Sequence, residues 1–136
     1  MHQTTQSVEE TQALAEKWME AYKDQKIWLL KGELGAGKTS FVKGIAKALD
    51  QDPDKIKSPT FSIIEEHDSW IHVDLYRLEQ EDPYIREELN EYLKAGFMLF
   101  IEWTERIDMW QDQSRVEVDF LHLGEDKRSL TLTLLP

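Results

Sequence analysis

Apolar positions along the first half of the chain recur at changing spacings, and each spacing predicts an element. Leu14, Trp18 and Tyr22 stand four apart on one helical face, behind Ser7 and Glu10, whose separation of three is that of a capping box. A helix is therefore expected to begin at Ser7. "IWLL" (Ile27–Leu30) is a short apolar run of strand type. It is followed by a glycine-rich stretch and then by Phe41, Val42, Ile45 and Leu49, which trace a helical stripe from Lys38 onward. Gln51–Pro59 carries two prolines and reads as a loop.

The second half is richer in strands. "TFSIIEEH" and "WIHVDLYRL" predict a hairpin about a polar turn at Asp68–Ser69. Asp82 followed by Pro83 is an N-cap with proline in the first helical position, Ile85, Leu89 and Leu93 carry that helix on, and Gly96 stands where it would stop. "FMLFIEW" is an unbroken apolar run ending at Glu102, which suits a strand buried on both faces. "VEVDFLHL" and "SLTLTLL" alternate on either side of "GEDKR" and predict a terminal β-hairpin. The order is helix, strand, loop and helix, hairpin, helix, buried strand, hairpin. This is an α/β domain with a mixed β-sheet flanked by helices, and residues 1–136 show no linker-like boundary.

Composition narrows the function classes. The 16 basic and 27 acidic residues give a net charge of −11, which argues against tight direct binding of nucleic acid, because phosphate contacts need clustered Lys and Arg. Work on a nucleic acid held by a partner stays open. The chain has no cysteine, so disulfides and thiolate zinc sites are excluded. "MHQTTQSVEET" has neither the basic nor the apolar region of a signal peptide, and no apolar run is long enough to span a membrane. The expectation is a soluble, cytoplasmic protein.

The glycine-rich stretch carries the chemistry. "GELGAGKT" matches G-x-x-x-x-G-K-[ST], the P-loop, with Gly32, Glu33, Leu34, Gly35, Ala36, Gly37, Lys38 and Thr39 at the required positions. Backbone N–H groups must point inward at phosphate oxygens, which side chains would obstruct, so glycine is needed. The helix opening near Lys38 aims its positive end at the phosphates. Lys38 would put a charge on the β- and γ-phosphates, and Thr39 a hydroxyl on Mg²⁺. The motif sits after a strand and opens a helix, so the expected fold is P-loop NTPase-like.

Hydrolysis also needs a metal-holding acid, expected at the carboxyl end of a neighbouring strand. Glu102 ends the apolar run and fits that place. Asp74 shares a strand face with His72 and Tyr76, and is either a second acid near the metal or a surface charge. Ser58-Pro59-Thr60 is either a simple turn or a switch loop whose Thr60 hydroxyl reaches the γ-phosphate or the metal. Trp103, beside Glu102, is expected near the nucleotide. His67 and His72 lack a third ligand for a metal site. The arginines, Arg128 among them, look scattered, with none in a loop next to the P-loop.

Taken together, "SVEETQALA", "GELGAGKTSFVKGIAKAL", "SPTFSIIEEH", "HVDLYRL" and "FIEWTERI" resemble the TsaE (YjeE) family over nearly the whole chain. That resemblance implies a P-loop fold that binds ATP and Mg²⁺. It also implies a role as an ATPase in tRNA threonylcarbamoyladenosine biosynthesis, with TsaD and TsaB as partners and tRNA met only through their complex. By motif it implies Thr39 and Glu102 as metal ligands, with Asp74 beside them, and Gly35 through Ser40 around the phosphates. It further implies Thr60 as a switch-loop residue, and Thr11 and Arg128 as nucleotide contacts. Thr104 stands where the family usually has proline after I-E-W, which removes no catalytic group. A small P-loop kinase is the alternative, but its only candidate lid, Gln51–Lys57, has no arginine. A nucleotide-binding module without turnover is the other, and Glu102 and Asp74 weigh against it.

The charge generates a first prediction. The isolated chain is expected not to bind bare tRNA in ~150 mM salt, where screening leaves an acidic surface little to offer phosphates. Fluorescence anisotropy that returned micromolar or tighter binding would contradict it.

Overall fold

The computed structural model describes residues 1–33, 37–56, 63–76, 78, 82–103 and 112–136. Its elements in chain order are β1 (His2–Thr5), α1 (Val8–Ala21), β2 (Ile27–Lys31), α2 (Lys38–Ala48), β3 (Ile64–Glu66), β4 (Trp70–Asp74), α3 (Pro83–Lys94), β5 (Met98–Glu102), β6 (Arg115–Gly124) and β7 (Lys127–Leu135). One short 3-10 turn, Pro53–Lys55, lies in the stretch read as loop, and Asp52 caps it.

The strands form one sheet in the order β1-β7-β6-β2-β5-β4-β3. Its centre is parallel: β6 and β5 flank β2, and β4 lies beyond β5. Antiparallel strands close both sides, β3 against β4 on one and the β6–β7 hairpin with β1 on the other. The expected mixed sheet and both hairpins are therefore present.

Strand alternation sorts side chains into two cores. Trp28, Leu30, Trp70 and Phe100 pack with Trp18, Phe41 and Ile45 of α1 and α2. Ile27, Leu29, Ile71, Leu99 and Ile101 pack with Leu89 of α3. Because both faces are covered, β5 is buried at every position, as its unbroken apolar run predicted.

The helix ends follow the sequence signals. Ser7 Oγ accepts the Glu10 N–H at 3.1 Å, and Asp82 Oδ1 accepts the Tyr84 N–H at 2.9 Å. Gly96, at φ +89°, ends α3 in the left-handed region. Strand β1 was not predicted. Its residues are polar and exposed except Thr5, so no apolar alternation marks it. It forms because β7 would otherwise be an open edge, and the Leu132 N–H donates to Met1 O at 2.7 Å.

Helices α1 and α2 approach closely at Gly44. A Cβ there would lie 2.3 Å from Gln12 O and 2.7 Å from Ala15 Cβ. Gly44→Ala gains about 1 kcal/mol of helix propensity, yet the overlap is partly with backbone, which cannot swing aside. The expected net effect is destabilisation by about 1–3 kcal/mol, read from the midpoint of urea unfolding. An unchanged or raised midpoint would mean that the two helices separate freely.

Candidate functional site

The parallel strands deliver their carboxyl ends to one edge of the sheet, where ligands bind in open α/β folds. Leu30, Glu102 and Asp74 are register partners across β2, β5 and β4, so the turn into the glycine-rich stretch and both candidate acids start from one row. Helix α2 opens at the same edge. Its N-cap is Gly37, at φ +102°, and no side chain among the described residues caps it. The first-turn N–H groups are thus left for an acceptor from outside the helix, the arrangement that suits an anion. Among the other predicted cradle residues, Gly32 is half-buried, Glu33 is exposed, and Thr39 and Ser40 are half-buried. Leu34, Gly35, Ala36 and Thr60 lie outside the described residues.

Lys38 is only 5% exposed. Its Nζ donates to Gly32 O at 2.6 Å, stands 3.8 Å from Glu102 Oε1, and lies 4.5 Å from the centre of the Trp103 ring. Glu102 is 4% exposed, and its other oxygen, Oε2, accepts from His72 Nε2 at 2.5 Å. The carboxylate is therefore held between an ammonium and an imidazole. That is what a charge needs to be tolerated in such burial. Strand parity explains the meeting: Glu102 follows Phe100 and His72 follows Trp70 onto the face that α2 covers.

Trp103 follows β5 with φ +61°, a left-handed conformation that costs a bulky residue on the order of 1–3 kcal/mol. Its ring packs against Tyr76 at 4.9 Å, and its Nε1 is buried without a partner among the described residues. Asp74 is half-buried and its Oδ1 accepts the Tyr76 N–H at 3.0 Å. Burial, with the Glu102 charge behind it, raises the Asp74 carboxyl above its ordinary value, against the pull of the Tyr76 N–H, His72 and Lys38. Among the described residues no cluster of three or more His, Asp or Glu forms a protein-built metal cage.

Thr11 is 1% exposed; its hydroxyl donates to Ser7 O at 3.2 Å and shares a 2.7 Å hydrogen bond with Thr5 Oγ1. Arg128 corrects one expectation. It is not remote from the P-loop: its side chain lies against Gly37, with Nε 3.3 Å from where a Cβ would stand. Its Nη1 donates to Glu125 O and Lys127 O, while Nε is buried without a partner among the described residues. Register explains the placement, because β1 and β7 pair Thr5 with Arg128 and so bring the start of β7 beside α1 and α2. The role of His72 was also missed, although its face-sharing with Asp74 was the available signal. His67 pairs with Glu65 at 2.7 Å and stacks on Trp70, away from this cluster.

Comparison with known proteins gives a consistent result. The family model described as "Threonylcarbamoyl adenosine biosynthesis protein TsaE" matches residues 5–130. The tRNA threonylcarbamoyladenosine biosynthesis protein TsaE of Bacillus subtilis (strain 168) is 35% identical over 133 residues, covering 95% of this chain and 82% of that protein. Its counterpart in Aquifex aeolicus (strain VF5) is 36% identical over 132 residues, covering 93% and 91%. The crystal structure of Bacillus subtilis YdiB superposes with a TM-score of 0.76 at 30% identity, covering 100% of this chain and 86% of that one.

The Asp74 environment predicts a pH effect. A carboxyl raised in the folded state binds its proton better folded than unfolded, so stability falls as pH rises through that range. Asp74→Asn keeps the acceptor for the Tyr76 N–H and removes the charge. It is expected to raise the melting temperature of the ligand-free chain at pH 7, with a gain that shrinks as the pH falls toward the ordinary value of 3.8. A gain that grew on acidification would contradict the burial argument.

Proposed function

The chain belongs to the TsaE family of threonylcarbamoyl adenosine biosynthesis proteins, and on that premise we propose that it is a cytoplasmic, Mg²⁺-dependent ATPase in the modification of tRNA. It acts as a switch on a TsaB–TsaD complex and meets tRNA only through that complex. The observation that most supports this reading is the buried Lys38 ammonium, 3.8 Å from Glu102 Oε1, at the uncapped N-terminus of α2. The open N–H groups and the ammonium suit the phosphates of ATP. Mg²⁺ is commonly held by one or two protein groups together with substrate phosphates, so Thr39 and Glu102, with Asp74 beside them, form a sufficient donor set. When bound, the metal neutralises charge on the phosphate oxygens.

The chain's own residues divide the remaining work. Lys38 orients the β- and γ-phosphates. Trp103, with Tyr76 packed against its ring, covers Lys38 and limits water. Arg128, whose side chain lies against Gly37, serves as a nucleotide contact, and the Thr60 loop carries the switch. A P-loop enzyme that awaits a partner to complete its transition-state contacts is slow alone, so activity is expected to be weak until TsaB and TsaD are added together.

Lys38→Ala is expected to weaken ATP binding by about 2–4 kcal/mol, the scale of a lost charge-assisted hydrogen bond to a multiply charged ligand. Titration calorimetry with unchanged affinity would overturn the phosphate-cradle reading.

A further inference from the structure

His72 is the buried titratable group that the proposed function leaves unused. It is 0% exposed, sits on the α2 face of β4, and makes its one side-chain hydrogen bond among the described residues through Nε2 to Glu102 Oε2. Its Nδ1 is buried without a partner among the described residues. An ionised carboxylate can only accept, so Nε2 must carry the hydrogen. The contact thus makes Nε2 the donor to Glu102.

We propose that His72 is a positioning residue whose Nε2–H fixes the rotamer of Glu102 and so presents Oε1 toward Lys38 and the metal. The inference rests on the reading of Glu102 as the metal-side acid. Oε1 lies 3.8 Å from Lys38 Nζ while Oε2 is taken by His72, so the carboxylate is divided between two tasks. Without the imidazole donor, Oε2 keeps no partner among the described residues in a site only 4% exposed, and the carboxylate is free to turn toward Lys38 and present neither oxygen to the metal. Groups that orient a ligating side chain through a hydrogen bond typically matter 10–100-fold in metal affinity or rate. A ring that merely filled space would be replaceable by phenylalanine.

The test uses the full chain with His72→Phe, His72→Gln and, as a control, Glu102→Gln, each checked for folding by thermal melting. Mn²⁺ uptake in the presence of a non-hydrolysable ATP analogue is followed by the EPR signal of the free ion, and kcat and KM for ATP are measured alongside. His72→Phe is expected to weaken Mn²⁺ binding and lower kcat about 10-fold or more, with little change in KM. His72→Gln, whose amide Nε2 reaches toward the same oxygen, is expected to recover most of both losses. A folded His72→Phe within twofold of the parent overturns the proposal, as does a folded His72→Gln equally impaired. If the parent takes up no Mn²⁺ that Glu102→Gln loses, the metal reading of Glu102 falls and this inference falls with it. If those two differ while His72→Phe matches the parent, only the inference on His72 fails. Should His72→Phe not fold, long-range ¹H–¹⁵N spectra of the parent decide: a His72 ring protonated at Nδ1 and bare at Nε2 contradicts the proposal.

Discussion

A carboxylate placed where water scarcely reaches is the constraint on which this structure turns. Glu102 ends a strand buried at every position, and an isolated charge in such a place would be neutralised or exposed by rearrangement. Lys38 and His72 prevent that from two sides, one through charge and one through a hydrogen bond. Removing Lys38 leaves Glu102 buried without its counter-charge, a loss on the order of 3–5 kcal/mol for a buried ion pair. The arrangement is costly for stability, and it sits at the sheet edge where ligands bind.

The rest of the fold delivers those three groups to one point. Parallel pairing of β2, β5 and β4 aligns Leu30, Glu102 and Asp74 in a single row. Alternation along the strands then turns Glu102 and His72 toward α2 rather than α3. Gly44 lets α1 lie against α2, which seats α2 on the sheet with its open N-terminus at the row. The antiparallel wing of β6, β7 and β1 adds Arg128 beside Gly37. Trp103, strained at φ +61°, brings its ring over the Lys38 ammonium.

Much of this was legible from residue pattern. The spacing of Phe41, Val42 and Ile45, the Asp82–Pro83 start, the Gly96 stop and the apolar run before Glu102 each correspond to an element of the fold. The TsaE resemblance agrees with the family match over residues 5–130. Strand β1 was hidden because its stability comes from the β7 edge rather than from its own polar residues. Arg128 could not be placed because its neighbour Gly37 is distant in sequence and close only through sheet pairing. His72 was legible as a face-sharing neighbour of Asp74, but its hydrogen bond crosses to another strand, which no local spacing encodes.

The central claim is that Glu102 couples the metal to the nucleotide. Its most direct test is ATP affinity by calorimetry, with and without Mg²⁺, for the parent and for Glu102→Gln. The account predicts that Mg²⁺ tightens ATP binding to the parent and that this gain is largely lost in the variant, while metal-free affinity stays close to that of the parent. A variant that keeps the full Mg²⁺ gain would contradict it and move the metal-side role to Asp74.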